Sequence, residues 1–272
     1  MGKEKMTIDL AVFMGQSNMA GRGVAEEAPG LPEGMGYEFR AVTAPDRLFP
    51  LEEPFGKNEN NPRGVYEPGM KTGSMVAAFV KACTEITRIP IVGVSCAKGG
   101  SAIAEWMPEG IYYADALHRV KKAKEWLFKN EYSIRHCYMV WCQGCTDGDL
   151  GTPEAVYKER TRKVLLSFLK DAGLEVCFLI QIGNHRDKPD LYVPMQQAQE
   201  ELAAERKEIV MVSRQFKTFA KRGLMKDEFH YRQEGYNLVG TEAGTHVAEY
   251  FRKDSQESSE KDGTEERSGK MQ

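Results

Sequence analysis

Five runs of mostly apolar residues recur along the chain, and stretches with apolar residues at helical spacing separate the later ones. The apolar runs are nearly continuous rather than alternating, which is typical of parallel strands covered on both faces. They span residues 7–15, 90–97, 136–143, 176–183 and 208–214. The helical patterns span residues 74–87, 112–130, 153–172, 191–206 and 233–252. This alternation predicts an α/β domain of three layers, α/β/α, built around a five-stranded parallel sheet.

The first connection, from about residue 21 to residue 71, does not fit this repeat. It holds seven of the 12 prolines, and connections of this length inside a compact domain are often functional. In one interpretation its aromatic residues Phe49, Phe55 and Tyr66 form a wall of a pocket. In the other, the segment is a proline-stiffened excursion over the surface. The sequence leaves both interpretations open.

The end of the chain differs in composition from the rest. Residues 253–272 include six acidic and four basic residues, and Met271 is the one bulky apolar residue among them. A segment this polar buries too little apolar surface to fold by itself. We therefore predict a single domain over residues 1–252 and a disordered polar tail over residues 253–272.

Charge and composition narrow the classes of partner. The chain has 272 residues, with 37 Lys and Arg against 40 Asp and Glu, which gives a net charge of −3. This balance argues against a dedicated nucleic-acid binder, which usually carries a basic excess. No apolar run approaches the ~18 residues of a membrane span, and the apolar start at residues 7–13 lacks the cleavage site of a signal peptide. Six scattered cysteines fit buried thiols in a reducing compartment. The sequence thus predicts a cytoplasmic protein with a small-molecule partner, and it leaves the oligomeric state open.

Small, polar and titratable residues follow all five predicted strands. Because ligands bind beyond the carboxyl ends of parallel strands, we expect these residues to meet at one edge of the sheet. Ser17 lies in a tight turn after the first strand, and Asp227 and His230 follow the last. A serine nucleophile needs a base to take its proton, and the base needs a carboxylate to orient it. The i, i+3 spacing of Asp227 and His230 lets one turn bring them together, and it predicts a Ser17–His230–Asp227 triad.

An ester carbonyl under attack becomes an oxyanion, which needs preorganised hydrogen-bond donors. Three candidates lie at the same edge: the backbone N–H of Ser17, the backbone N–H of Gly100 and the side-chain amide of Gln143. A glycine at position 100 lets the backbone approach a ligand closely. Simpler interpretations also stay open, namely a plain turn at Gly100 and a polar residue that closes a strand at Gln143.

Four sequence blocks together resemble the SGNH hydrolase superfamily, and more closely its carbohydrate acetylesterase branch. That branch includes the sialate O-acetylesterase-like proteins and the acetylxylan esterases of carbohydrate esterase family six. The blocks are residues 15–21, 98–106, 141–147 and 227–230, which follow the family's order over nearly the whole chain. The resemblance implies the flavodoxin-like SGNH hydrolase fold, Ser17 as the nucleophile, and an oxyanion hole formed by Ser17, Gly100 and Gln143.

The same resemblance implies a serine esterase that removes O-acetyl groups from carbohydrate through an acyl-enzyme. The substrate would be an acetylated oligosaccharide or sialic acid, and neither a metal nor an organic cofactor is implied. Trp141 is either a stacking residue or part of the core. The residues expected to contact substrate are Gln16, Asn18, Trp106 and His185.

One position departs from the family's pattern. The family usually carries Glu after Gln-Gly in the third block, and here that residue is Cys145. A thiol is a poor substitute for a carboxylate as a hydrogen-bond acceptor. The alternative function is therefore a carbohydrate-binding relative that has weak turnover or none.

Two motifs suggest other chemistry. Cys142 and Cys145 form a C-x-x-C pair after a strand, which suits a redox or metal role. A thioredoxin-like pair opens a helix, whereas the residues after Cys145 predict a loop, and no further zinc ligands stand at short spacing. Residues 98–101 look like part of a phosphate loop but lack its G-x-x-x-x-G-K-[ST] spacing. Both roles are weaker hypotheses than the esterase.

Overall fold

The computed structural model describes the backbone of residues 5–268 and the side chains of residues 5–254. Seven strands in this part of the chain form one sheet. They are β1 (Thr7–Gly15), β2 (Gly36–Phe39), β3 (Leu48–Pro50), β4 (Ile91–Ala97), β5 (Ser133–Cys142), β6 (Cys177–Ile180) and β7 (Ile209–Ser213). Their order in the sheet is β3-β2-β4-β1-β5-β6-β7. The five predicted strands are β1, β4, β5, β6 and β7, and neighbours among them run parallel.

The prediction of a five-stranded, purely parallel sheet was wrong, because the first connection adds two strands. β2 pairs with β4 in parallel, and β3 pairs with β2 in antiparallel orientation. The sheet is therefore mixed, with the added strands at one side. Strands of three and four residues are too short for apolar periodicity to reveal them.

All five predicted helices are present. They are α2 (Val76–Thr87), α3 (Ile111–Lys129), α5 (Glu154–Ala172), α6 (Val193–Glu205) and α7 (Gln233–Ser268). Two short helices, α1 (Ser17–Ala20) and α4 (Cys145–Asp149), stand where the sequence predicts a turn and a loop.

The last helix extends well past its predicted end at Arg252. Residues 253–268 contain no proline, and the single glycine among them, Gly263, weakens a helix by only about 1 kcal/mol. Residues 269–272 of the predicted tail lie outside the described residues. The division of the chain at residue 252 stays a prediction.

The helices pack in two groups, α2 against α7 and α5 against both α3 and α6. Two glycines of α7 allow its close approach to α2. A Cβ at Gly240 would lie 2.3 Å from the carbonyl oxygen of Met75, and one at Gly244 would lie 2.2 Å from that of Phe79. None of the helices in the described part of the chain combines the length and the apolar character that a membrane crossing requires.

The register of the three central strands positions the candidate site. Gly15, the last residue of β1, pairs with Ala97 on β4 and with Cys142 on β5. The segments that follow these strands therefore leave the sheet at the same level. They carry Ser17 after β1, the turn at Gly100 after β4, and Gln143 after β5.

Candidate active site

Ser17 is the first residue of α1, where the chain turns sharply out of β1. Gly15 makes this turn possible. Its φ is +132°, and a Cβ there would lie 2.0 Å from the carbonyl oxygen of Cys142, so a larger residue does not fit. Ser17 is 8% exposed and lies on the wall of a pocket of about 630 Å³.

The loop that carries Asp227 and His230 is closed at its base by backbone contacts. Met225 and Tyr231 form an antiparallel bridge, and the N–H of Lys226 donates to the carbonyl of His230 at 2.8 Å. Inside the loop, Oδ1 of Asp227 accepts the backbone N–H of Phe229 at 3.0 Å and that of His230 at 2.7 Å. These contacts fix the position of the carboxylate through Oδ1 and leave Oδ2 for the imidazole.

Ser17, His230 and Asp227 form one continuous chain of hydrogen bonds. Nδ1 of His230 lies 2.8 Å from Oδ2 of Asp227, and Nε2 lies 2.9 Å from Oγ of Ser17. The structure thus brings together three residues that the sequence separates by up to 213 positions. In this geometry a neutral imidazole can accept the serine proton while the carboxylate holds the ring.

The environment of His230 favours the neutral ring. Burial lowers the pKa of His230, the contact with Asp227 opposes this effect, and the charges of Arg22 and Lys226 lower the pKa again. The result is a pKa below the ordinary value of 6.5. Burial raises the pKa of Asp227, but the hydrogen bonds from Phe229 and His230 outweigh burial and hold that pKa below its usual range. An ionised Asp227 beside a neutral His230 is the state that a general base needs.

Two predicted backbone donors, the N–H groups of Ser17 and Gly100, lie along the same pocket. Gly100 has a φ of +68°, and a Cβ there would meet no atom within 4 Å, so its backbone is open to a ligand. Among the described residues, neither N–H group has a hydrogen-bond acceptor. Both groups are therefore available to a bound oxyanion.

The side chain of Gln143 does not reach the pocket, which corrects its assignment as an oxyanion donor. It is fully buried, and its Nε2 donates to the carbonyl of Ser101 at 3.1 Å and to Oδ2 of Asp147 at 2.5 Å. Oδ2 of Asp147 also accepts the N–H of Ile103 at 2.8 Å. Gln143 and Asp147 thus hold the segment after Gly100 in place.

Gln16 is placed as expected on the pocket wall, and its amide is oriented by the backbone. Its Oε1 accepts the N–H of Gly144 at 2.8 Å and that of Thr146 at 3.4 Å. Its Nε2 has no acceptor among the described residues. It is also not one of the fully buried side-chain atoms that lack a partner in that part of the chain. Gln16 therefore offers a side-chain donor in the place predicted for Gln143.

Asn18 has a structural role rather than the predicted contact with substrate. It is 2% exposed. Its Nδ2 donates to the carbonyl of Phe229 at 3.1 Å, and its Oδ1 accepts the hydroxyl of Tyr236 at 2.8 Å. Asn18 consequently ties α1 to the loop of His230 and to α7.

Trp106 does not stack on a ligand, because it is completely buried. Its Nε1 donates to Oγ of Ser101 at 2.8 Å, and its ring lies edge-on to Trp141, with 5.6 Å between centroids. Trp141 is also completely buried, so of its two interpretations the core role holds. His185, which is expected to contact substrate, is not among the residues that line the pocket. Its Nδ1 accepts the N–H groups of Asp187 and Lys188, and its ring centroid lies 6.2 Å from that of Phe229.

The first connection contributes part of the pocket wall, as one interpretation of it predicts. Tyr66 and Glu67 line the pocket, whereas Phe55 is buried in the core and Phe49 lies under the guanidinium of Arg40. Sequence reasoning did not identify Glu67 or its partner Arg22. The signal that points toward them is the unusual length of this connection.

The surroundings of the cysteines do not favour the redox or metal role of the C-x-x-C pair. All six are free and buried, and burial raises the pKa of Cys142 to about 12 and that of Cys145 well above its usual range. The helix α4 does begin at Cys145, so the predicted loop was wrong, but a thiol that stays protonated is a weak nucleophile and metal ligand. In the described part of the chain, no group of three His, Cys, Asp or Glu residues is arranged to hold a metal.

Comparison with known proteins adds a family and a fold. A family model described as carbohydrate esterase, sialic acid-specific acetylesterase, matches residues 7–249. A solved protein from Arabidopsis thaliana is similar over 89% of this chain and 98% of its own, at 20% identity and a TM-score of 0.64. A carbohydrate acetylesterase from Xanthomonas citri is similar over 88% of this chain and 56% of its own, at 15% identity and a TM-score of 0.55. At these identities the two structures support the fold alone. No curated protein has a sequence that matches this chain.

Proposed function

The chain belongs to the carbohydrate esterase family of sialic acid-specific acetylesterases, and from this premise we propose that it removes O-acetyl groups from a small carbohydrate by a serine mechanism. Membership makes the chain a carboxylic ester hydrolase and confirms the resemblance to the carbohydrate acetylesterase branch. One observation carries the mechanism, namely the chain of hydrogen bonds from Asp227 through His230 to Ser17 at the wall of one pocket.

In the proposed reaction, Oγ of Ser17 attacks the acetyl carbonyl carbon while Nε2 of His230 takes the hydroxyl proton. Asp227 holds the ring and stabilises the imidazolium that forms. His230 then gives this proton to the sugar oxygen as the C–O bond breaks, which leaves an acetyl group on Ser17. A water molecule, deprotonated by His230, attacks this acyl-enzyme and releases acetate.

The negative charge on the carbonyl oxygen needs donors that are in place before the reaction. We assign this role to the N–H groups of Ser17 and Gly100 and to Nε2 of Gln16, which replaces Gln143 in the sequence-based set. Each donor of this kind lowers the barrier by about 3 kcal/mol. Gln143 supports the site indirectly, because its amide binds the carbonyl of Ser101, the residue after Gly100.

The proposed substrate is a small acetylated carbohydrate, either an oligosaccharide or a sialic acid. A pocket of about 630 Å³ is in the size range of small-molecule sites. Tyr66 and Phe229, which are 47% and 37% exposed, present aromatic rings on its wall. Aromatic faces pack against the apolar side of sugar rings, and the weak net charge of the chain gives no attraction to a polyanion such as nucleic acid.

The test is hydrolysis of an activated acetyl ester by the wild type and by Ser17→Ala. We expect turnover by the wild type and a loss of about 10⁴-fold or more in the variant, since the nucleophile is removed. Ser133→Ala, an exposed serine at the start of β5, is the control and retains wild-type activity. Absence of turnover by the pure wild type supports the binding-only alternative, and undiminished turnover by Ser17→Ala removes Ser17 as the nucleophile.

The saccharide is identified by release of acetate from acetylated xylo-oligosaccharide and from O-acetylated sialic acid. The proposal requires release from at least one of these at a higher kcat/KM than from a simple alkyl acetate. A protein that hydrolyses the activated ester but neither saccharide is an esterase of another substrate class.

A further inference from the structure

A buried ion pair between Arg22 and Glu67 joins separate segments of the pocket wall. Arg22 follows α1, and Glu67 lies in the first connection. Nη2 of Arg22 lies 3.0 Å from each carboxylate oxygen of Glu67, and Nη1 donates to the carbonyls of Gly21 and Met70. The two residues are 8% and 5% exposed. A charged pair removed from water in this way is costly unless each group is well bonded, and here both are.

Glu67 also holds the turn that carries Gly100. Its Oε1 accepts the N–H of Gly99 at 2.6 Å, and its own backbone N–H donates to Oδ1 of Asn60 at 2.8 Å. On the other side of the turn, the carbonyl of Ser101 accepts the amide of Gln143. Gly100 is therefore fixed through both of its neighbours, and Glu67 makes the contact on its N-terminal side.

We propose that Glu67 is a positioning residue of the esterase site, which fixes the Gly99–Gly100 turn for the oxyanion and balances the charge of Arg22 beside His230. This inference rests on the proposed function. It also means that the pocket contains a buried carboxylate, that of Glu67, although Cys145 occupies the position at which the family usually has Glu.

The charge of the pair acts on His230. Arg22 contributes to the lowered pKa of His230, after the larger effect of burial. Loss of the Glu67 charge leaves the positive charges of Arg22 and of Lys98, whose Nζ lies 3.8 Å from Oε1 of Glu67, without their partner and lowers that pKa further. Loss of the Arg22 charge removes a positive group that lowers the pKa of His230, and it therefore raises that pKa. The charged groups on the loop of His230 are Lys226, Asp227 and Glu228. The charged residues that line the same pocket are Arg22 after α1, Glu67 in the first connection, Lys98 after β4 and Asp149 in α4.

The experiment separates the two roles of Glu67 with two substitutions. Glu67→Gln keeps an oxygen for the N–H of Gly99 and removes the charge, and Glu67→Ala removes both. We expect kcat on an activated acetyl ester to fall about tenfold in Glu67→Ala with little change in KM, less than the roughly 100-fold for outright loss of an oxyanion donor. Glu67→Gln restores most of this loss.

The charge role is measured by NMR titration of the His230 ring, assigned with a His230→Ala variant. We expect the midpoint to move down by about half a unit in Glu67→Gln and up by a similar amount in Arg22→Gln. The double variant Arg22→Gln, Glu67→Gln returns close to the wild type. The acid limb of kcat/KM follows the same shifts.

The control is Asp9→Asn, which breaks a second ion pair whose carboxylate is buried. Asp9 is 1% exposed and binds Arg135 through both oxygens, at 2.9 and 2.6 Å. It lies in β1, away from the edge that carries Ser17. Asp9→Asn lowers the melting temperature and leaves the His230 midpoint unchanged, which separates a specific effect from general destabilisation.

Midpoints that stay at the wild-type value, or that move in the same direction in Glu67→Gln and Arg22→Gln, overturn the proposal. Equal kcat values for Glu67→Ala and the wild type overturn the positioning role. Circular dichroism checks the fold of each variant. If Glu67→Gln does not fold, the upward shift of the His230 midpoint expected for Arg22→Gln decides the charge role by itself. The titration needs no turnover, so an inactive wild type overturns the proposed function while the role of the pair is still measured.

Discussion

The backbone N–H of Gly144 donates a hydrogen bond of 2.8 Å to Oε1 of Gln16, and this contact leaves Nε2 as the free end of the amide on the pocket wall. The orientation matters because an amide donates through its nitrogen alone. Gly144 accommodates the arrangement with a φ of +146°. Gly144, which follows β5, therefore determines which end of the Gln16 amide faces the pocket.

The first prediction concerns this donor. Gln16→Glu keeps an oxygen for Gly144 and replaces Nε2 by a carboxylate oxygen, which repels an oxyanion. We expect kcat on an activated acetyl ester to fall about 100-fold or more, since loss of one oxyanion donor has that effect. Gln197→Glu, the same substitution at an exposed glutamine of α6, is the comparison and leaves the chemical step unchanged. A kcat for Gln16→Glu within threefold of the wild type rules out the assignment.

The second prediction is the pH dependence of kcat/KM. Because His230 acts as a base, the neutral ring is the active form, and activity falls as the pH drops through the pKa of His230. Burial, with the charges of Arg22 and Lys226, places this pKa below the ordinary 6.5 in spite of Asp227. The acid limb of kcat/KM therefore has its midpoint below pH 6.5. A midpoint above pH 6.5 contradicts this account, and the rate profile between about pH 4 and about pH 8 decides it.

The third prediction tests the carboxylate of the triad. Asp227→Asn keeps the size of the side chain but allows Nδ1 of His230 to lose its proton, so the ring presents the wrong tautomer to Ser17. We expect kcat to fall about 10³- to 10⁴-fold with an unchanged fold. Asp149→Asn is the matched control, because Asp149 lines the same pocket but bonds the hydroxyl of Tyr192. A loss below tenfold in Asp227→Asn shows that another group orients the imidazole.

The parts of the fold that the sequence predicts are those with long, repeated patterns. The five predicted strands and the five helices have enough apolar positions for their periodicity to be distinguished from chance. β2 and β3 have four and three residues, and their pairing depends on where the first connection is folded back against β4. The short helix at Cys145 is likewise decided by its surroundings, since five residues carry no periodic signal.

The candidate site is predictable in its position but not in its side-chain directions. Ser17, His230 and Asp227 each follow a strand end, and topology brings strand ends together. Asn18 is one residue along a helix from Ser17, so its side chain points about 100° away, toward Phe229 and Tyr236. Gln143 directly follows β5, and its amide reaches Asp147 because α4 folds the chain back toward it.

The Arg22–Glu67 pair shows the limit of sequence reasoning in another way. The two residues are 45 positions apart, and no periodicity or motif relates them. Their contact depends on the path of a long connection rich in proline, which folds against the end of α1. Only the three-dimensional arrangement shows that this connection holds the turn at Gly100.

The last prediction concerns the sugar-facing wall of the pocket. The backbone of Phe229 is held on both sides, since its N–H donates to Asp227 and its carbonyl accepts from Asn18. Its ring is 37% exposed and lies edge-on to His230, with 4.8 Å between centroids. A ring fixed in this way beside His230 is suited to contact the sugar part of the ester, which leaves when the ester bond is cleaved.

Phe229→Ala therefore lowers kcat/KM for an acetylated saccharide about fivefold, in line with the ~1 kcal/mol of an aromatic contact, and changes the rate on a small alkyl acetate much less. Phe128→Ala is the control, because Phe128 is 81% exposed near the end of α3 and lines no part of the pocket. The ratio of the two kcat/KM values is the measurement. An equal loss on both esters means that the ring supports His230 instead, and this result removes Phe229 from the sugar-binding surface.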